Sequence, residues 1–173
     1  MHVPYIQDVN QYESKNLSTN VGDEGGFAPP LSSNNEAVDL LLETIEKAGY
    51  KAGRECFIAL DVAASELEKS GQYLLKREGI TLDREALVAR YTEWATQYPI
   101  ISIEDGISED DWEGWCLLQQ QLGSRVQLVG DDLYTTNPAR IQWGIDQKAS
   151  NSVLIKFNQI GTLTETLQSI SLT

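Results

Sequence analysis

"PIISIED", residues 99–105, sets three isoleucines close together and ends on two acids. Such a run, short, Ile-rich and without clean polar alternation, reads as a strand buried on both faces. Three other stretches share its character: "CFIALD" (56–61), "VQLVGD" (126–131) and "SVLIK" (152–156). Between them lie helical patterns. Val38, Leu41, Leu42 and Ile45 share one face, with Ser33 and Glu36 at capping-box spacing and Gly49 placed to end the helix. Leu87, Tyr91, Trp94 and Tyr98 form a second stripe. Trp112, Trp115, Gln119 and Leu122 trace a third, with Ser108 as its expected cap. Asn137 before Pro138 is a cap followed by a preorganised first helical residue. Thr162 and Glu165 repeat the capping-box spacing ahead of Leu163, Leu167 and Ile170. "KSGQYLLKREG" (69–79) reads as a turn or small hairpin between a strand and a helix.

Strand and helix alternating in this way imply four or five βα units and a mostly parallel sheet. A complete (β/α)8 barrel needs about 250 residues, and this chain has 173. The pattern therefore fits either a smaller open α/β sheet or part of a barrel.

Each buried-looking strand ends on an ionisable residue. Asp61 closes the first, Glu104 the second with Asp105 behind it, Asp131 the third with Asp132 behind it, and Lys156 the fourth. In parallel α/β folds the carboxyl ends of the strands share one rim, where ligands bind. Carboxylates brought close together repel, so either their pKa values rise or a cation sits among them. Oxygen donors without His or Cys favour a hard ion, Mg²⁺ before Zn²⁺. Beside a divalent cation and partly desolvated, the lysine is expected to lose its proton more readily and to serve as a base. Asp105 and Asp132 are expected to support or cap. Glu109, Asp110 and Asp111 read as favourable charges ahead of a helix.

The net charge of −13, from 26 acids against 13 bases, argues against nucleic acid or an anionic membrane as the main partner. The single histidine is His2, so chemistry that needs a histidine base or ligand is nearly excluded. Cys56 and Cys116 form no CxxC pair; they read as buried small side chains in a reducing, cytoplasmic protein. No apolar run is long enough to span a membrane. "NVGDEGGFAPP" (20–30) places Asp23 and Glu24 among glycines that permit close approach to a ligand. It lacks the Lys-Ser/Thr of a phosphate-binding loop and the spacing of an EF-hand. It is either a surface turn or a loop that aims an acid at the rim.

"VGDEGGFAP", "ALDVAASE", "YPIISIEDGISEDDWEGW", "LVGDDLYTTNPARI" and "LIKFNQIGTLTETL", in this order, resemble the enolase family. The resemblance covers about residues 20–173 and leaves 1–19 as an unassigned polar tail. It implies a partial (β/α)8 TIM-type barrel of about four to five βα units, in a cytoplasmic, glycolytic, oligomeric enzyme. The implied reaction is the Mg²⁺-dependent, reversible dehydration of 2-phospho-D-glycerate to phosphoenolpyruvate. By resemblance Asp61, Glu104 and Asp131 hold the metal, Lys156 is the base that removes the C2 proton, and Glu24 is the acid that assists departure of the C3 hydroxyl. Lys156, Glu24 and Asp131 would face the substrate. The match of "GDEGG" and "KFNQIGT" favours enolase proper over related enzymes acting on acid sugars. The family's preceding α+β domain and its phosphate-binding segment have no counterpart in these 173 residues, so the chain alone is expected not to turn over. The alternative is a non-catalytic half-barrel that binds metal or self-associates.

Overall fold

The structure, a computed structural model, describes Lys15, residues 17–21 and residues 25–173. It divides into two compact units, residues 1–57 and 58–173.

In the first unit Val21 bridges antiparallel to Phe27, on either side of residues 22–24, which lie outside the described residues. Helix α1 (Asn34–Lys47) starts where Ser33 Oγ accepts the Glu36 N–H at 3.2 Å. The Glu36 carboxylate returns to Ser32, not to Ser33, accepting from its N–H and its hydroxyl at 2.7 Å each. Gly49, at φ 85°, ends the helix as expected: its N–H donates to the Glu46 carbonyl and that of Tyr50 to Ile45. The buried face is Val38, Leu40, Thr44 and Ile45, with Leu41 exposed. Three consecutive leucines make the stripe ambiguous by one position, and packing chose the other side. The first stretch read as a strand starts late: Cys56 makes only an isolated bridge to Ala52.

The second unit holds a four-stranded parallel sheet in the order β1 (Ile58–Asp61), β5 (Ile100–Glu104), β6 (Gln127–Gly130), β7 (Ser152–Val153). The three strands β2 (Glu68–Lys69), β3 (Gln72–Leu75) and β4 (Ile80–Leu82) form a separate antiparallel sheet, which extends the expected hairpin by one strand. Helices α2 (Arg84–Gln97), α3 (Trp112–Leu122) and α4 (Pro138–Gln147) connect the parallel strands; α5 (Phe157–Ile160) and α6 (Leu163–Leu172) follow β7. The parallel strands lie side by side in chain order, with no reversal. Doubly wound open sheets reverse their strand order at a switch point, whereas a barrel winds in one direction only. Strand order therefore resolves the ambiguity left by length: this is part of a (β/α)8 barrel.

Ile103 of β5, Leu128 of β6, Leu87, Val88 and Tyr91 of α2, and Trp115, Leu118 and Leu122 of α3 are all buried in the core. Burial of the strands is less complete than their composition suggests. Ala59, Ile101 and Gln127 are exposed, as expected of a sheet that does not close on itself. β7 has two residues, not five; Leu154 adds one N–H to the Gly130 carbonyl, and Lys156 lies beyond the ladder as the N-cap of α5. The cap of α3 is Asp111, whose carboxylate accepts the Gly114 N–H at 3.0 Å. Ser108 instead accepts the Trp115 indole N–H on its carbonyl. Asn137 and Thr162 cap α4 and α6 as read. Cys56 and Cys116 are half-buried. Among the described residues no helix is long and apolar enough to cross a membrane.

Gly144 sits inside α4, where alanine usually stabilises a helix by about 1 kcal/mol. A Cβ there would lie 2.4 Å from the buried Tyr134 ring, which is itself held by a 2.6 Å hydrogen bond to Ser150. Gly144→Ala is therefore expected to destabilise the protein by about 1–3 kcal/mol, read as a lower midpoint in urea unfolding. An unchanged or higher midpoint would show that the ring yields freely.

Candidate functional site

The carboxyl ends of β5 and β6 bring three acids together. Ligand oxygens of Glu104, Asp105 and Asp131 lie within 4.8 Å of one another. Asp105 accepts the backbone N–H of Asp131 on one oxygen (3.0 Å) and that of Asp132 on the other (2.9 Å). Its own N–H donates to the Val129 carbonyl, and its carbonyl accepts the Ala64 N–H beyond β1. One residue thus ties three strand ends, and it does so with φ at 41°, a conformation that Asp tolerates better than most residues.

Asp61 ends β1 opposite Glu104 in the strand register. It falls outside the geometric trio, whose third member is Asp105, but its charge acts on Glu104. Lys156 donates its ammonium to Asp131 Oδ2, while Gln159 Nε2 donates to Asp131 Oδ1 at 2.6 Å. Thr136 orders both partners: its hydroxyl donates to Gln159 Oε1 and accepts the Lys156 backbone N–H, each at 2.8 Å. Asp23 and Glu24 lie outside the described residues.

Loops around the rim are cross-braced. Ser65 accepts the Glu109 N–H at 3.0 Å, and Arg140 donates to the carbonyls of Glu109 and Leu133. Tyr73 of β3 accepts the Ser108 N–H and donates to the Asp111 carboxylate. Burial pushes the Tyr73 phenol well above its ordinary range, so it remains a donor at any working pH.

Sequence reasoning missed Thr136 and Gln159. Gln159 follows Lys156 by three residues, one turn along α5, and that spacing was the available signal. Thr136 belongs to a loop whose path cannot be read from periodicity.

The charges show strain of the expected kind. Burial, then the charges of Asp61, Asp131 and Asp105, raise Glu104 to about 7. Burial raises Asp105 too. Lys156 moves opposite to expectation: its hydrogen bond to Asp131 raises its pKa and keeps it protonated. Without another cation, the lysine is the counter-charge of the cluster.

A family model described as the enolase C-terminal TIM barrel domain matches residues 5–173. The chain belongs to this enolase barrel family. The match takes in most of residues 1–19, which the motifs left unassigned. Within an enolase-type barrel, acids and a lysine at the carboxyl ends of successive strands occupy the face where barrels bind their ligands.

The donor set suits a hard divalent cation: carboxylate oxygens only, close enough to share one ion, with mutual repulsion that such an ion would relieve. Glu104 and Asp131 would hold it together with Asp61 or Asp105. Of these two, Asp105 already spends both oxygens on backbone donors.

Glu104 protonates more readily in the fold than in the unfolded chain, where a glutamate titrates near 4.5. Its contribution to stability is thus fully present below about 4.5 and is lost as pH rises through about 7; Asp105 acts with the same sign. With chelator present, the melting temperature should fall between pH 5 and pH 8, and Glu104→Gln should flatten that fall. Equal slopes for both proteins would remove Glu104 from the cluster.

Proposed function

We propose that this barrel carries the enolase reaction, the reversible dehydration of 2-phospho-D-glycerate to phosphoenolpyruvate, with Mg²⁺ as cofactor. The observation that supports this most directly is the Lys156–Asp131 ion pair set against Glu104 at the ends of adjoining strands, in a chain of the enolase barrel family. A lysine base beside a carboxylate cluster suits proton abstraction next to a substrate carboxylate. A bound divalent cation would stabilise the second negative charge that develops on that carboxylate.

In this reading Asp61, Glu104 and Asp131 hold the cation, with Asp105 fixing the backbone of Asp131. Lys156 takes the C2 proton. It can do so only as a neutral amine, so it must first leave Asp131, the contact that keeps it protonated. Thr136 and Gln159 retain the chain around it when that contact opens. Glu24, on the glycine loop, donates to the departing C3 hydroxyl. The cytoplasmic location and glycolytic role are part of the same proposal.

Two measurements test it. Calorimetry should show Mg²⁺ binding that Asp131→Ala abolishes and that Lys156→Met leaves at least as tight, because the lysine competes with the ion for Asp131. Binding undiminished in Asp131→Ala would overturn the ligand assignment. For the chemistry, 2-phospho-D-glycerate deuterated at C2 should lose its label to water in the presence of Mg²⁺ when these residues are joined to the family's preceding domain and phosphate-binding segment. Lys156→Ala should abolish this exchange. Label retained by that joined protein with Mg²⁺ would sink the proposed reaction.

A further inference from the structure

Asp131 engages both of its carboxylate oxygens: Oδ2 accepts from the Lys156 ammonium, and Oδ1 accepts from the Gln159 side-chain amide at 2.6 Å. The two contacts differ in kind. An ammonium on a four-carbon stem can give way to another cation. The Gln159 amide is braced. Thr136 is fully buried, and its hydroxyl accepts the Lys156 backbone N–H at 2.8 Å. The one hydroxyl proton then goes to the Gln159 amide oxygen, also at 2.8 Å. With that oxygen engaged, the amide presents its NH₂ to Asp131. Thr136 is fixed in turn by Ser169 of α6, which donates to its carbonyl at 2.6 Å. The Gln159 backbone N–H closes on the Lys156 carbonyl at 3.0 Å.

We infer, on the reading of this cluster as a cation site, that Gln159, oriented by Thr136, is a positioning residue that confines Asp131 to one ligating oxygen and so biases the site toward Mg²⁺ over Ca²⁺. Ca²⁺ takes about six to eight oxygens and often chelates a carboxylate through both, whereas Mg²⁺ demands near-octahedral geometry and keeps several waters. A cation that displaces Lys156 gains Oδ2. To take Oδ1 as well, it must break the hydrogen bond from Gln159 and leave that amide donor without its acceptor, which is costly away from water. This penalty falls on the ion that needs chelation. Asp105 is restricted in the same sense, since its two oxygens accept the N–H groups of Asp131 and Asp132 at 3.0 and 2.9 Å. Two of the three clustered carboxylates thus carry a protein donor on an oxygen that bidentate ligation would use.

The test is calorimetric affinity for Mg²⁺ and for Ca²⁺, read as the ratio of the two dissociation constants. Gln159→Leu removes the donor and keeps much of the bulk; it should tighten Ca²⁺ relative to Mg²⁺ by about tenfold. Thr136→Val should move the ratio in the same direction, and Thr136→Ser, which keeps the hydroxyl, should preserve it. A merely loosened site would weaken both ions together and leave the ratio unmoved. If the unaltered protein binds Mg²⁺ but Gln159→Leu has the same ratio, the role of Gln159 is overturned and the cation site stands. Thr136→Ser shifting the ratio as far as Thr136→Val overturns the bracing by Thr136. Binding of neither ion to the unaltered protein overturns the cation reading itself, and the selectivity falls with it.

Discussion

The carboxylate of Asp105 organises the site. By accepting the N–H groups of Asp131 and Asp132 it fixes the first turn of chain after β6, and by its own backbone it joins β5 to β6 and to the segment after β1. A hydrogen bond to a charged acceptor contributes more than a neutral one, and here two are made by a buried side chain. Asp131 consequently projects from a backbone that is held in place, not from a free loop. Lys156, Gln159 and through them Thr136 then assemble on Asp131. Residues placed this way would need little reorganisation to hold a ligand.

The same arrangement sets a charge problem, and Lys156 answers part of it. Glu104, Asp105 and Asp131 share a small space; burial and mutual repulsion raise the first two, and Lys156 supplies a close positive charge on Asp131. Lysine is a poor permanent answer, since an ammonium satisfies one carboxylate at a time and its stem leaves it substantially exposed. The ion pair is thus well suited to exchange: a divalent cation held by these carboxylates would displace the ammonium and leave the amine freer to titrate.

Much of this was legible in the sequence. Runs rich in Ile, Val and Leu, separated by helical stripes, gave the βα alternation, and an ionisable residue at each run's end gave the rim. Caps at Ser33, Asn137 and Thr162 were readable because they depend on one side chain and its own next turn. Legibility failed where a contact spans distant segments. Asp111 outcompeted Ser108 as the cap of α3, since Ser108 is held by Tyr73 and Trp115, a tie that no local spacing reports. In α6 the apolar Leu163, Leu167 and Ile170 stay exposed, and the packed side is Thr166 and Ser169, because Ser169 meets the Thr136 carbonyl, a polar partner that no apolar pattern reports. The direction of the Lys156 shift depended on which charge touches it, a fact of three-dimensional distance alone.

Backbone strain offers a reading of the site independent of its charges. Among the described residues six non-glycine residues adopt positive φ, and four of them, Ala63, Asp105, Thr135 and Thr136, lie in the loops that follow β1, β5 and β6. For a β-branched threonine this conformation is a true outlier, and residues held in such regions cost of order 1–3 kcal/mol each. A chain selected for stability alone would place glycine or asparagine at these turns. Threonine at 136 has a specific use: its hydroxyl holds both Lys156 and Gln159, which glycine could not do. The strain therefore falls on the residues that position the lysine and its aspartate, and it is concentrated on the rim where the four strands end.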